Sequence, residues 1–275
     1  MYRHLSRSGL LLGIVLALSA ALPAQADAVA YPRVMASTGD SITRAFNTGW
    51  VPFTDNPSAS WSTGSDTRVQ SHYLRLRAAS GRSVTAYNNS RSGAKMADLN
   101  RQMNLAVSQR ADYVTVLMGA NDVCTSSEGS MTSVQTFTAQ FRTAMDTVTT
   151  GLPSVKVYVV SIPDIHHLWE VLHNNWFART AWWTFGVCQS MLANPTSTAA
   201  EDVQRRARVK ARNVAFNDAL ASVCAAYRQC LFDGYAGFLT QFGASDVSTR
   251  DYFHPSIAGQ AKAAAVTWKS GYWGG

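Results

Sequence analysis

Apolar positions along the chain follow two alternating periods. Short runs that are almost wholly apolar or β-branched fall at 34–37, 84–88, 113–118, 156–162 and 231–233. Each is too short for a helix. The third of them (Tyr-Val-Thr-Val-Leu-Met) is rich in β-branched and aromatic residues, as a buried strand is. Between these runs the spacing changes. Met96, Leu99, Met103, Ala106 and Val107 recur at helical intervals, and Val134, Phe137, Phe141, Met145 and Val148 form a clear amphipathic stripe. A further helical pattern over 199–228 includes Val203, Val214 and Leu220, and an alanine-rich one runs from 255 to about 268. Pro163 closes the fourth strand, residues 47–66 read as a Ser/Thr/Gly/Pro-rich loop, and 164–195 form a long aromatic insertion.

Strands that alternate with helices imply a parallel sheet covered on both faces. Right-handed crossovers then give an α/β fold, a three-layer αβα sandwich around a central parallel sheet. In such sheets ligands bind beyond the carboxyl ends of the strands, so chemically useful residues are expected just after strands. No internal repeat or low-complexity linker divides the chain.

The first 26 residues stand outside this pattern. Arg3, His4 and Arg7 precede an uncharged apolar run over 9–22, and Ala24-Gln25-Ala26 is a small-x-small cleavage signal. A cut after Ala30 is the alternative. The run is shorter than the ~20 residues that span a bilayer, which disfavours the competing reading as an uncleaved anchor. Residues 1–26 are therefore expected to be a signal peptide, with a single domain over 27–275 and a secreted, extracellular product. The 275 residues are 47% hydrophobic and 15% charged, which excludes a disordered chain. The formal net charge of +7 becomes +5 when Arg3 and Arg7 are removed with the leader. That excess mildly favours an anionic surface such as a bilayer or cell wall. The densest basic run, Arg205 to Lys210, lies in a helical pattern and reads as a solvated face, so no nucleic-acid partner is expected.

Export gives the four cysteines, Cys124, Cys188, Cys224 and Cys230, an oxidising compartment, and two disulfides are expected. Three pairings exist. Closeness in sequence joins Cys224 to Cys230, which leaves Cys124 with Cys188, a bridge between two long loops. No Cys-x-x-Cys pair supports a zinc site.

Four segments carry candidate chemistry. Gly39-Asp40-Ser41-Ile42 follows the first strand, where Ser41 would open a helix whose free N–H groups favour a developing anion. Asn89 to Ala94 follows the second strand, and Gly93 would let its N–H approach a substrate oxygen. Gly119-Ala120-Asn121-Asp122 follows the third, with Asn121 offering an amide donor. Asp251-Tyr252-Phe253-His254 precedes the last helix. A carboxylate three residues before a histidine can reach Nδ1 and leave Nε2 as a base. Alone, each segment has an ordinary structural meaning: a helix cap, a loop glycine, a strand-ending turn, a surface pair.

Together, in this order, they resemble the SGNH hydrolases, also called the GDSL lipase/esterase family. The resemblance runs from about Val34 to the terminal helix and implies a flavodoxin-like fold. It implies Ser41 as nucleophile, His254 as base and Asp251 as its partner. Ser41, Gly93 and Asn121 would supply the oxyanion hole. Ile42 departs from the usual leucine, a conservative change. Gly-x-Asn-Asp followed by Val123-Cys124 looks most like the secreted bacterial lipase and phospholipase B branch. The resemblance thus implies a serine ester hydrolase acting on lipid or phospholipid esters, with transient membrane-surface contact. It is expected to act as a monomer without cofactor or metal. A carbohydrate acetyl esterase is the alternative within hydrolases, and a non-catalytic cell-wall or lipid-binding protein the alternative outside them.

His166, His167, Glu170 and His173 invite a metal reading, but their order is not His-Glu-x-x-His. Surrounded by Leu168, Trp169, Trp176, Phe177, Trp182 and Trp183, the segment reads instead as a lid or acyl-chain wall. Asp122 is expected to be a fold-supporting hydrogen-bond acceptor.

Overall fold

The computed structural model describes residues 1–2 and 29–274. The expected signal peptide therefore lies, beyond its first two residues, outside the described residues. The strands are β1 (Val34–Gly39), β2 (Thr85–Asn88), β3 (Tyr113–Leu117), β4 (Lys156–Val159) and β5 (Cys230–Phe232). The helices are α1 (His72–Ser80), α2 (Met96–Ser108), α3 (Ala120–Val123), α4 (Val134–Gly151), α5 (Ile165–Leu172), α6 (Trp176–Thr184), α7 (Gln189–Leu192), α8 (Ala200–Cys224), α9 (Ala236–Leu239) and α10 (Ile257–Lys269).

The five strands form one sheet in the order β2-β1-β3-β4-β5, and every neighbouring pair is parallel. That order is the flavodoxin-like one, whose chain reversal beside β1 opens a crevice at the carboxyl ends of β1 and β3. Strand residues alternate between two cores, as the two-residue repeat requires. Ala36, Val114, Val116, Val157 and Val159 pack with Leu99 and Met103 of α2, Phe137 and Phe141 of α4, and Phe216 and Leu220 of α8. Met35, Tyr113, Leu117, Tyr158 and Val160 pack on the opposite face with Leu76 of α1 and Ala264 of α10. The expected three-layer αβα sandwich is thus the observed one. The two disulfides also join Cys124 to Cys188 and Cys224 to Cys230, as sequence proximity implied.

Three local expectations need correction. Helix α1 falls in a stretch with no helical prediction, because its apolar and basic residues alternate and only His72 and Leu76 are buried. The aromatic insertion is largely helical: Asp164 accepts hydrogen bonds from the N–H groups of His166 and His167, and Asn175 from those of Phe177 and Ala178, capping α5 and α6. On α8, Val203 faces solvent, while the buried face includes Arg206, Asn213 and Asn217. Asn213 and Asn217 accept from the N–H groups of Ile165 and Ile162, satisfying backbone that leaves the sheet after β4.

His72 sits at the centre of the second core, edge-on to Trp61 and Trp268 and stacked on Tyr113 and Tyr158. Its Nδ1 lies 3.0 Å from the Tyr113 hydroxyl and its Nε2 lies 2.9 Å from Thr267 Oγ1. Burial pushes its pKa down to about 3, so the ring stays neutral. An unfolded histidine titrates near ~6.5. Below that pH the unfolded chain takes up a proton that the folded one refuses, so this contribution is intact above ~6.5 and declines as acid is added. The unfolding free energy of the wild type, minus that of His72→Gln, should fall by about 1.4 kcal/mol per pH unit between about pH 6 and pH 4. Urea titrations across that window check it; a difference that ignores pH would contradict the neutral assignment.

Candidate active site

The carboxyl ends of β1 and β3 lie side by side, and β1 runs on into a tight turn. Gly39 adopts φ +146°, and a Cβ there would stand 2.4 Å from the Leu117 carbonyl oxygen, so no other residue fits. Buried Gln102 on α2 clamps this glycine from both sides: the Gly39 N–H donates to Oε1 at 2.7 Å and Nε2 donates to the Gly39 carbonyl at 2.9 Å. Ser41 follows two residues later, nearly buried at the floor of a cleft.

Ser41 does not open a regular helix. The Arg44 N–H reaches Asp40, that of Ala45 reaches Ile42, and that of Phe46 reaches back to Ser41. These bonds span four, three and five residues, because Ala45 and Asn47 take left-handed φ values of 50° and 65° and interrupt the winding. Asp40 itself is buried. Its Oδ1 accepts from the Ile42 N–H at 2.9 Å, while Oδ2 has no partner among the described residues. Burial pushes its pKa up to about 7, against the Ile42 bond and the charge of His254 and with the help of Asp122.

His254 stands opposite. Its Nε2 lies 2.8 Å from Ser41 Oγ and its Nδ1 lies 2.6 Å from Asp251 Oδ2. A carboxylate only accepts, so Nδ1 carries the proton and Nε2 is free to accept from the serine hydroxyl. Asp251 is held from three more directions. The N–H groups of Phe253 and His254 donate to Oδ1 at 3.0 and 3.1 Å, and Asn47 Nδ2 donates to Oδ2 at 2.5 Å. Burial alone would raise the Asp251 carboxyl, but the bond and charge of His254 and the two backbone donors outweigh it, and the pKa is lowered. The ring of Phe46 tilts against that of His254 with centroids 4.8 Å apart.

Gly93 and Asn121 line the same cleft, of about 280 Å3, as Ser41 and His254. Gly93 takes φ +78°, the left-handed region a glycine adopts without strain. Neither its N–H nor that of Ser41 donates to a protein acceptor among the described residues. Asn121 Nδ2 donates to the Ala94 carbonyl at 3.0 Å, which fixes the amide and leaves its second N–H for a ligand. Asp122, beside it, accepts from the Met96 N–H at 2.8 Å and Thr132 Oγ1 at 2.7 Å, so it pins the start of α2 next to the Asn121 turn. All five candidate residues (Ser41, Gly93, Asn121, Asp251 and His254) thus gather on one rim. Asp251 and His254 reach it by a long return segment after β5 rather than from a strand end.

Asn47, Gln102 and Phe46 were not among the residues singled out from sequence. Gln102 had a signal: it interrupts the apolar stripe Leu99, Met103, Ala106 at a buried helix position. Asn47 had none. In the aromatic insertion, Val187 and Cys188 line the cleft, and Trp182 Nε1 donates to the Tyr252 carbonyl at 3.0 Å, bracing the segment that carries His254. His173 Nδ1 lies 3.1 Å from the Trp169 carbonyl within its own turn, while His167 places Nδ1 3.3 Å from Glu170 and Nε2 3.2 Å from the Phe242 carbonyl, tying α5 to the segment after α9. Among the described residues no cluster of His, Cys, Asp or Glu is arranged to hold a metal ion.

The sequence model of the GDSL-like Lipase/Acylhydrolase family matches residues 37–266. No curated protein matches the chain. Among solved structures, a family 3 carbohydrate esterase from Clostridium thermocellum is 15% identical with a TM-score of 0.52, over 86% of this chain and 93% of its own. A protein named TesA is 16% identical with a TM-score of 0.50, over 86% of this chain and 97% of its own. An extracellular lipase from Streptomyces rimosus is 18% identical with a TM-score of 0.46, over 84% of this chain and 95% of its own. At such identities the first two likenesses are of fold.

Proposed function

Because this chain belongs to the GDSL-like lipase/acylhydrolase family and is thereby a carboxylic-ester hydrolase, we propose that it cleaves acyl esters of lipids outside the cell, through an acyl-enzyme on Ser41. One observation carries the reading: the unbroken path from Ser41 Oγ to His254 Nε2, 2.8 Å, and from Nδ1 to Asp251, 2.6 Å. His254 takes the Ser41 proton as Oγ attacks the ester carbonyl. The tetrahedral oxyanion then lies against the N–H groups of Ser41 and Gly93 and the free N–H of Asn121. The proton on Nε2 passes to the leaving alkoxide, which departs as the alcohol. A water deprotonated by His254 attacks the acyl-enzyme, and Nε2 returns that proton to Ser41 Oγ as the acid departs. Asp251 stabilises the imidazolium at each step.

Apolar walls support lipid esters. Phe46, Val187 and Phe253 border the cleft. Behind Phe253 lies a second cavity of about 90 Å3, lined by Ile42, Leu117, Ile162, Ile165 and Phe242 among others. Two disulfides support an exported protein, and no described helix is long and apolar enough to cross a membrane.

A fluorophosphonate probe should label Ser41, and p-nitrophenyl esters of increasing chain length, triglycerides and phospholipids should show turnover beyond acetyl. Acetyl-only turnover would favour a carbohydrate esterase; no labelling and no turnover would favour a binding protein. Phe253 lines both the cleft and the second cavity. Its replacement by alanine should therefore admit longer chains. With about 0.8 kcal/mol for each further buried methylene, the decanoate-to-butyrate ratio of kcat/KM should rise by about tenfold or more. An unchanged ratio would mean that acyl chains leave the cleft by another route.

A further inference from the structure

Large apolar side chains crowd the surface beside the cleft. Trp50 is 96% exposed and Phe53 50% on the loop after the Ser41 turn, while Trp183 is 82% and Phe185 52% exposed at the end of α6. The two stretches are far apart in sequence, yet the rings of Phe53 and Phe185 meet edge-on with centroids 5.1 Å apart. Both are fastened to the catalytic constellation. Asn47, which donates to Asp251, also accepts from the Phe53 N–H at 2.6 Å. Phe185 is followed by Val187 and Cys188, which form part of the cleft wall. Two almost fully exposed tryptophans flanking this phenylalanine pair, three and two residues away along the chain, contribute little to the core and mark a surface that meets a partner.

Charge says which partner. Residues 45–54 carry no charge, and 171–199 carry no acid and a single formal cation, Arg179. Arg250 supports the loop from below, donating to the Trp50 carbonyl at 3.0 Å. Neither Arg179 nor Arg250 forms an ion pair among the described residues. An isologous pairing of two copies through this ridge would set these unneutralised arginines against each other and cover the cleft mouth. A lipid surface suits it better: indole and phenyl rings settle at the headgroup level, where the cation of Arg179 meets phosphate and no acid of either stretch opposes it.

We propose that Trp50, Phe53, Trp183 and Phe185 form an insertion ridge that seats the protein on phospholipid assemblies, with the Ser41 cleft opening onto the lipid. The inference rests on the reading of the substrates as acyl lipids. Vesicles of ether-linked phosphatidylcholine and phosphatidylglycerol bind without being hydrolysed, so they separate docking from chemistry. Wild-type protein should co-sediment with them, with a blue shift of tryptophan emission. The W50S/W183S double variant should partition at least about fivefold more weakly, since two aromatic side chains no longer enter the interface. Its turnover of soluble p-nitrophenyl acetate should match the wild type, because neither tryptophan lines the cleft, and that match also reports an intact fold. Failure of the wild type to bind, or a loss smaller than fivefold in the double variant, overturns the proposal. Absence of soluble-ester turnover in a wild type that still binds vesicles would overturn the catalytic reading instead.

Discussion

Alanine at position 41 is expected to lower ester turnover by about 10⁵-fold or more while the fold persists. The substitution removes the atom placed to accept the acyl group, and Nε2 of His254 loses the proton donor 2.8 Å away. No acyl-enzyme can form, although the Ser41 and Gly93 N–H groups and the Asn121 amide remain. A residual acceleration over water of ~10³–10⁴ is what such donors and binding sustain in comparable sites. Ser41 bears little of the packing, since the turn is held by Gln102 on Gly39 and by backbone bonds from Arg44 and Phe46. Far-UV circular dichroism and the urea midpoint should therefore match the wild type. Initial rates on p-nitrophenyl butyrate decide the matter: turnover near wild type in Ser41→Ala would end the assignment.

Asn121→Ala is the second large effect, a loss of about 10²–10³ in kcat with KM little changed. The Ala94 carbonyl holds one N–H of the amide at 3.0 Å, so the other is aimed before substrate arrives. A preset donor acts most strongly on the charge that develops in the tetrahedral state and weakly on the neutral ester, which is why kcat should fall rather than KM rise. Gly93 and Ser41 still supply two donors, so activity is reduced and not abolished. A rise in KM at constant kcat would assign Asn121 to substrate binding instead. The lost bond to Ala94 should cost roughly 1 kcal/mol of stability, a separate reading from the same variant.

The strands were legible because burial on both faces leaves runs such as Val114 to Leu117 almost wholly apolar, with β-branched Thr115 as the one polar residue. The candidate site residues were legible because each lies in a short motif with its own turn chemistry. What escaped depends on distant partners. Asn47 meets Asp251 across 204 residues, and Gln102 meets Gly39 across 63. No local spacing records such a meeting. Helix α1 escaped because Tyr73-Leu74-Arg75-Leu76-Arg77 alternates like an exposed strand, while its fate is set by His72 and Leu76 docking on the sheet. The broken winding after Ser41 escaped because alanine has no preference for the left-handed conformation that Ala45 adopts. Helices α5 and α6 inside the aromatic insertion went unpredicted, although their caps, Asp164 and Asn175, stand in the sequence.

The Cys124–Cys188 bridge closes a 64-residue loop, with one end three residues past Asn121 and the other in the wall beside Val187. On the chain-entropy account a cross-link of that span restrains the unfolded ensemble by about 4 kcal/mol. A recombinant host that keeps its thiols reduced would assemble the sheet and the serine turn but leave this wall untied, so soluble yield and specific activity would part company. Preparation by periplasmic targeting or oxidative refolding is accordingly the route that makes measured rates belong to the finished molecule.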